Sequence, residues 1–496
     1  MALSIDYNQN FLHQCSKQAL TRQFVQNSSQ LKFKEPISSS DNPIIPDPSL
    51  FKFGSNPSDA RDGPERLPSI AECATHLELL QAFRHIRTEI ESSQRLDDAL
   101  GIEPEHRIVY RKRIVQKSYN SSWETERKPT KLRDHGFDKR REEKWPLYLK
   151  LAASRFLYWV AAVEGDLSEP TKTPDRSLHL PPLDVLMVWH ALLLNPTWFQ
   201  TFERKKLKHL STVPFPWEQI HAAIDSEKPN WPFRLAEEDE AWAQVQAGLH
   251  PDLLAFLAEE NKSLVISDCL ANHGISRDND EDRGLRPEDI PDASSGDSNL
   301  NTIESGFLYI CRVAVSKDKT IEELVDAVKR QSAFVDKMER QLWIRSPAVE
   351  GTLSRGIIRY ERFLKLFKLY PRAMLVPTLD IDLVWHTHQC SPAQYGLVIR
   401  QMTGRFIDHN DKLGTETLDP AFENTKALYR IRFADEYRLC ACWDCEALRS
   451  TIAEDSDMQF NVASVAHRAH FTVAYYRAVE IARRKGEKVL PVIAAS

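Results

Sequence analysis

The sequence of 496 residues has little glycine, few cysteines and no long apolar run. Its eight cysteines follow no regular spacing, which fits a reducing compartment better than a disulfide framework. We therefore expect the cytoplasm, with the nucleus left open. No run reaches the roughly eighteen apolar residues of a membrane span, and the N-terminus lacks the pattern of a signal peptide. These absences predict a soluble protein without a membrane span.

Neither sign of charge is in large excess, and the common enzyme motifs are missing. The chain has 65 basic and 71 acidic side chains, a formal net charge of −6, so no overall field attracts nucleic acid or membrane. It contains no Walker loop, no G-x-G-x-x-G after a strand, no nucleophile elbow and no H-E-x-x-H. Most mainstream enzyme classes are therefore disfavoured.

What the sequence does contain is a repeat. The segment PPLDVLMVWHALLLNPTWF at Pro181–Phe199 returns without a gap as PTLDIDLVWHTHQCSPAQY at Pro377–Tyr395. The two copies share two prolines, a leucine, an aspartate and the Val-Trp-His core. A period of this length indicates duplicated domains rather than a short structural repeat. The differences between the copies mark the second one as the place to look for chemistry.

Hydrophobic periodicity predicts a mainly α protein with two related helical domains from an internal duplication. We expect a disordered N-terminal tail over 1–66, because it is rich in Ser, Pro, Asn and Asp. A first, degenerate helical repeat domain follows over 67–270. An acidic, flexible linker over 271–303 precedes the second helical repeat domain, 304–496.

Each copy of the repeat predicts one buried helix of about ten residues. Asp184 and Asp380 follow a proline-rich approach and suit the N-cap position, where a carboxylate accepts free backbone amides. The helices should end near Pro196 and Pro392. Apolar residues cover most sides of both helices, so we expect both to be buried.

The histidines of these helices differ in what they suggest. His190 and His386 occur in both copies, and a buried imidazole bonded to a carbonyl or a neighbouring helix explains them. His388 replaces Leu192 on an apolar stripe and needs a partner. Asp382 lies one turn before His386 and could orient its ring, as carboxylates do for metal-binding histidines, or only complement the helix dipole.

Further polar groups follow in the same domain. His409 and Asp411 lie in RFIDHND, and three thiols spaced C-x-C-x-x-C lie in LCACWDCE. Such thiols bind zinc when an imidazole completes the tetrahedron, although plain core cysteines explain them as well. The candidate metal ligands are His386, His388, His409, Cys440, Cys442 and Cys445. The candidate catalytic residues are Asp382, His386, His388, His409 and Asp411.

The segment 107–144 is basic and contains interspersed aromatic residues. It holds thirteen basic and six acidic side chains. Such a patch could contact RNA or anionic lipid, but it has no fixed period and no recognised nucleic-acid module surrounds it. We expect a solvated connector, and nucleic acid is an unlikely partner.

The motifs of the second half together resemble a known family. DLVWHTHQCSPAQY and GRFIDHND, preceded by EELVDAVKRQSAFVDKM and IIRYERFLKLF, are similar to the glycine-rich domain-containing protein-like family, a plant and fungal domain of unknown function. The resemblance implies a fungal-type member, because CACWDCE looks like a feature of that branch. Plant relatives carry a glycine-rich tract with a motif linked to RNA binding. This chain has 16 glycines and no such tract. RNA binding is therefore not implied.

Two functional hypotheses follow. The first is an intracellular helical protein that binds a protein partner or a small-molecule ligand, with the Trp-His core as packing. The second is an enzyme, with zinc as a candidate metal, that acts on a small molecule such as an intermediate of fungal secondary metabolism. The first is favoured, because spacing alone assembles no complete catalytic constellation.

Overall fold

A computed structural model describes most of the chain between residues 44 and 487. The described residues are 44–54, 66–104, 107–116, 123–132, 134, 136–168, 178–271, 286–291, 300–409, 415–454 and 462–487. Asp411 and most of the predicted tail and linker lie outside these ranges.

The described chain is mainly helical, which confirms the predicted fold class at that level. In chain order the helices are α1 (Ile70–Ser92), α2 (Gln94–Ala99), α3 (Phe137–Glu142), α4 (Lys144–Leu167), α5 (Leu183–Leu193), α6 (Pro196–Lys206), α7 (Trp217–Ala223), α8 (Glu237–Val245), α9 (Leu253–Ala258), α10 (Leu264–Ala271), α11 (Thr302–Val315), α12 (Lys319–Gln341), α13 (Val349–Leu369), α14 (Leu379–Gln389), α15 (Pro392–Thr403), α16 (Thr415–Phe433), α17 (Trp443–Glu454) and α18 (Val462–Lys485). None of these helices combines the length and the apolar character that crossing a membrane requires.

Local capping fixes where several helices begin. Helix α1 starts with a capping box, in which Ser69 accepts the backbone N–H of Glu72 and the Glu72 carboxylate accepts the backbone N–H of Ser69. Asn301 and Glu304 form the same arrangement at α11. Each N-cap contributes about 1 kcal/mol to helix stability.

Helices of both halves contribute to one apolar core. Helix α12 of the second half packs against α4 and α5, whereas α1 of the first half packs against α13 and α14. The two long helices α1 and α12 also pack against each other, and an ion pair between Arg84 and Asp336 (3.1 Å) links them. The repeat helices α5 and α14 therefore lie in a shared interior.

The basic segment contains an antiparallel hairpin of β1 (Arg107–Gln116) and β2 (Trp123–Leu132). Its β-branched and aromatic residues favour strands, and helical periodicity alone does not reveal this preference. Ile108, Tyr110 and Ile114 are exposed, so this hairpin covers little core.

Part of the segment predicted as a disordered tail is packed. Residues 44–54 include the short 3-10 helix Pro48–Leu50, and Leu50 is buried. Phe51 stacks on His221 with ring centroids 3.7 Å apart, and Arg345 donates to the carbonyl of Ile45 (2.7 Å). The predicted domain boundaries otherwise stay predictions.

Candidate functional site

Helix α14 is held at its first turn by a half-buried ion pair. The helix starts at Leu379 with Thr378 as its N-cap, so Asp380 lies inside the first turn and is not the predicted cap. Its carboxylate instead accepts a hydrogen bond from Nε of Arg359 on α13 (2.6 Å). Arg359 also donates to the carbonyl of Tyr437 (2.7 Å), which ties α14 to the segment after α16. The ion pair between α13 and α14 therefore fixes the position of α14.

Helix α5 is held in the same way. It starts at Leu183 with Pro182 at the cap position, so Asp184 is also not the N-cap. Asp184 accepts from Nε of Arg155 on α4 (2.7 Å), and both side chains are buried. The aspartates of the repeat are therefore ion-pair partners, a role that their local sequence does not reveal.

Three predicted site residues converge beside α14. The Nε2 atoms of His386 and His409 are 3.2 Å apart. Oδ1 of Asp382 lies 3.4 Å from Nε2 of His386 and 3.6 Å from Nε2 of His409. Asp382 and His386 share a helix face because they are four residues apart. We call these three residues the D-H-H triangle.

A relay of hydrogen bonds from the Trp-His core positions His409. Trp385 donates from Nε1 to the Tyr395 hydroxyl (3.0 Å), which donates to the carbonyl of Ile407 (2.7 Å). The Trp385 ring also packs edge-on against the His409 ring, with centroids 5.0 Å apart. Gly404, at φ 80, ends α15 in a left-handed conformation that turns the chain back toward α14. Trp385 and Tyr395 of the motif therefore support the segment that carries His409.

The D-H-H triangle is mostly buried but retains a route to solvent. The side chain of His386 is 2% exposed and that of Asp382 is 22% exposed. Burial alone would raise the pKa of the Asp382 carboxyl, but His386, His409 and Lys337 outweigh burial and hold that pKa below its usual value. Phe334 of α12 covers the His386 ring at 4.4 Å. The site therefore contains an ionised carboxylate, and an aromatic side chain packs beside it.

His388 lies on another side of α14 and is not part of the triangle. Its Nδ1 atom and the Tyr360 hydroxyl are 3.0 Å apart and hydrogen-bonded, and Tyr395 packs edge-on against its ring. Burial, with a smaller contribution from Arg66, lowers the pKa of His388 to about 3. The imidazole is therefore neutral. Tyr360 is the hydrogen-bond partner that the sequence predicted His388 to need on its apolar stripe.

The histidine shared with the first copy has a different environment. His190 lies in a buried chain with His76 of α1 and Thr387 of α14. The Thr387 hydroxyl donates to the carbonyl of Leu383 (2.8 Å), so it accepts from Nδ1 of His76 (2.9 Å). Nε2 of neutral His76 then accepts from Nε2 of His190 (2.9 Å). His190 is thus a bonded core histidine. His76 was missed because nothing in its sequence context separates it from other core-facing residues.

The three predicted thiols cluster without a histidine. Sγ atoms of Cys440, Cys442 and Cys445 all lie within 4.8 Å of one another, in a group that contains no histidine among the described residues. Hydrogen bonds with the Cys442 and Cys445 thiols lower the pKa of the Cys440 thiol. The six predicted ligands therefore fall into a histidine group and a thiol group, with His388 in neither.

A cleft lies between the helices that follow the two repeat helices. Its volume is about 380 Å³, and α6 and α15 form its walls. Glu203 and Arg400 bring opposite charges to it, while Phe199 and Tyr395 bring aromatic surface. This combination suits a small polar molecule with an apolar part.

Comparisons with known proteins match the second half of the chain. The family model described as "Glycine-rich domain-containing protein-like" matches residues 264–397, which include Asp382 and His386. Glycine-rich domain-containing protein 1 of Arabidopsis thaliana is 34% identical over 123 residues, 23% of this chain and 14% of that protein. Glycine-rich domain-containing protein 2 of the same plant is 33% identical over 126 residues, 24% of this chain and 16% of that protein.

The chain thus spans about one-seventh of the length of these curated relatives. No solved structure matches it. The region matched by the family model carries α14 and two residues of the D-H-H triangle, and on that region the chain is similar to the glycine-rich domain-containing protein-like family.

Proposed function

We propose that this protein binds a divalent transition-metal ion, zinc first among them, at Asp382, His386 and His409. The carrying observation is the size of the D-H-H triangle, with edges of 3.2, 3.4 and 3.6 Å between donor atoms. Zinc takes nitrogen and oxygen ligands at about 2.0–2.2 Å, so the edge of its coordination tetrahedron is about 3.4 Å. Asp382, His386 and His409 would hold such an ion through these three atoms, once the proton between the two Nε2 atoms has left them.

The chemistry of the donors supports the same ion. Two imidazoles and one carboxylate bind zinc and related ions, whereas calcium and magnesium prefer oxygen ligands. The ionised carboxylate offsets one of the two charges of the ion. A net positive centre remains, and it favours an anionic group as a fourth ligand.

Three protein ligands leave one coordination position open, which supports ligand binding at the metal. Metal sites with three protein ligands also occur in enzymes, so turnover of a small molecule is the alternative function. We favour ligand binding over turnover, because the distances among the three donor atoms support an ion and do not describe a substrate.

We also propose that the two halves are related helical domains from an internal duplication, and that the first copy is degenerate at the site. The sequence repeat supports this, as does the matching pair of ion pairs, Arg155–Asp184 and Arg359–Asp380. Leu186 takes the place of Asp382 in the first copy, which leaves His190 without a carboxylate one turn before it.

Metal titration of the full chain tests the proposed site. Protein stripped with a chelator is titrated with Zn²⁺ against a competing indicator, in wild type, Asp382→Asn and His409→Gln. His388→Leu is the matched control, because it changes a histidine of the same helix outside the triangle. We expect one ion at this site in wild type and control, and at least about 100-fold weaker binding in the other two. Equal affinity in all four proteins would rule out the site.

Turnover is separated from binding by a second measurement. The loaded protein is screened against ester, phosphate and amide model substrates, with Asp382→Asn as the background. Metal-dependent hydrolysis absent from that variant would establish the enzyme alternative. Stoichiometric metal without turnover would agree with a ligand-binding role.

A further inference from the structure

We propose that Cys440, Cys442 and Cys445 form a second metal site, separate from the D-H-H triangle, for one thiophilic ion with a closed d shell. The ion is Zn²⁺ or Cu⁺, bound by three thiolates. Soft thiolate ligands select these ions over the harder ones. The cluster is built from the segment LCACWDCE, which covers the end of the connection after α16 and the first turn of α17, where Cys445 lies.

The spacing of the sulfur atoms fits a single ion. The Sγ atoms of Cys440 and Cys442 are 3.4 Å apart, and every pair in the cluster is within 4.8 Å. Zinc–sulfur bonds of about 2.3 Å place sulfur atoms about 3.8 Å apart in a tetrahedron and about 4.0 Å apart in a planar triangle. Small side-chain rotations reach either geometry.

The backbone of the cluster is fixed on both sides by tryptophans. Trp343 donates from Nε1 to the carbonyl of Ala441 (2.8 Å), and Trp443 donates from Nε1 to the carbonyl of Gln341 (2.7 Å). Both tryptophan side chains are buried. Arg449 adds a hydrogen bond to the carbonyl of Cys440 (2.7 Å). The thiols are therefore presented by a rigid loop, which lowers the conformational cost of gathering them around an ion.

Charge and accessibility also suit an ion that enters from solvent. Cys442 lies directly before α17 and its carbonyl accepts the backbone N–H of Glu446 (3.0 Å), so the thiols lie at the positive end of that helix. Cys445 is buried and Cys440 is exposed. One face of the cluster is thus anchored in protein and the other is open to an arriving ion.

The test counts ions per chain in the full-length protein, purified under reducing conditions without oxygen. We expect two zinc ions per wild-type chain and one in Cys440→Ser, because the exposed Cys440 can change without disturbing the core. Asp382→Asn should also retain one, and the double variant none. Loss of a zinc ion in Cys440→Ser but not in Asp382→Asn would support the thiol site and argue against the D-H-H triangle. Loss in Asp382→Asn alone would overturn the thiol site and leave the other standing.

Thiol reactivity provides a second readout that does not depend on the histidine site. Bound metal should slow modification of these three thiols, and Cys445→Ser should abolish the protection. Cys269→Ser, a change outside the cluster, should leave it intact. Parallel titrations with Zn²⁺ and with Cu⁺ held by a competing chelator decide which ion binds tighter, with an expected loss of at least about 100-fold for either in Cys440→Ser. Thiols that remain unprotected with both ions would overturn the proposal.

Discussion

Helices α5 and α14 have nearly the same construction and different polar environments. Each begins with Leu-Asp, is fixed by an arginine of the preceding long helix, and is followed two residues later by a helix that starts with proline. Yet His190 of α5 bonds to another core histidine, whereas His386 of α14 faces Asp382 and His409. The shared residues build the helix, and the residues that differ decide which donor atoms meet there.

The largest effect should come from removing the buried carboxylates of the ion pairs. Asp184→Ala leaves the buried guanidinium of Arg155 without a counter-charge and should cost about 3–5 kcal/mol of unfolding free energy. Asp380→Ala should cost less, because the Asp380 side chain is 22% exposed and water can replace it. Urea denaturation of both variants measures the two costs. A larger loss for Asp380→Ala would contradict the view that α5 is the more deeply buried copy.

The second effect concerns metal affinity, and it uses the first copy as a template. Asp382→Leu installs the residue found at Leu186 and should weaken zinc binding at the D-H-H triangle by at least about 100-fold, or about 2.7 kcal/mol. Competition with an indicator measures the change. Leu186→Met, a similar-volume change in the other copy, should leave the affinity unchanged. Retained affinity in Asp382→Leu would mean that the carboxylate is not a ligand.

A third comparison replaces the buried, hydrogen-bonded pair Tyr360 and His388 of the second half by apolar residues. His388→Leu leaves the buried Tyr360 hydroxyl without its partner and should cost about 1–3 kcal/mol. The residues after the paired arginines are Phe156 and Tyr360, so the double variant Tyr360→Phe/His388→Leu reproduces the Phe and Leu of the first copy. It should recover most of the loss in a thermal or urea melt. Without such recovery, the hydrogen bond would not explain the cost.

The last effect is a pH dependence of stability to which His190 of the first copy contributes. Burial, followed by the nearby charge of His386, lowers the pKa of His190 from 6.5 to about 3. The folded state therefore binds the proton more weakly than the unfolded state. Stability from this group is complete above pH 6.5 and is lost as the pH falls toward 3, with a slope of at most about 1.4 kcal/mol per pH unit. His190→Gln should flatten this slope in stability measured across that range. An unchanged slope would assign the acid sensitivity to other groups.

Several elements could be predicted because their cause is local. Amphipathic spacing over Thr320–Met338 is enough to predict the helix Lys319–Gln341, since this spacing is a property of the segment itself. The pairing of Asp382 with His386 likewise follows from their four-residue separation on one helix. The sequence also identified His409 and the three thiols as candidate metal ligands. It could not show that the histidine and the thiols belong to two separate groups.

Other features could not be read from the sequence because their causes lie far along the chain. The role of Asp184 depends on Arg155, and the role of Asp380 depends on Arg359, on other helices. His76 meets Thr387 across 311 residues. The hairpin of β1 and β2 was missed for a local reason, since strand preference was not weighed against the basic charge of the segment.

The sequence by itself determined a mainly helical protein, two similar buried helices and the residue types available for a site, because periodicity and composition are carried by each segment alone. Tertiary structure decided which of those residues meet. The packing of α1 and α12 across the two halves gives His190 a histidine partner and covers His386 with Phe334, and the Trp385–Tyr395–Ile407 relay brings His409 beside Asp382. Donor atoms become a metal site only within a few ångströms of one another, and that distance is a property of the packed chain.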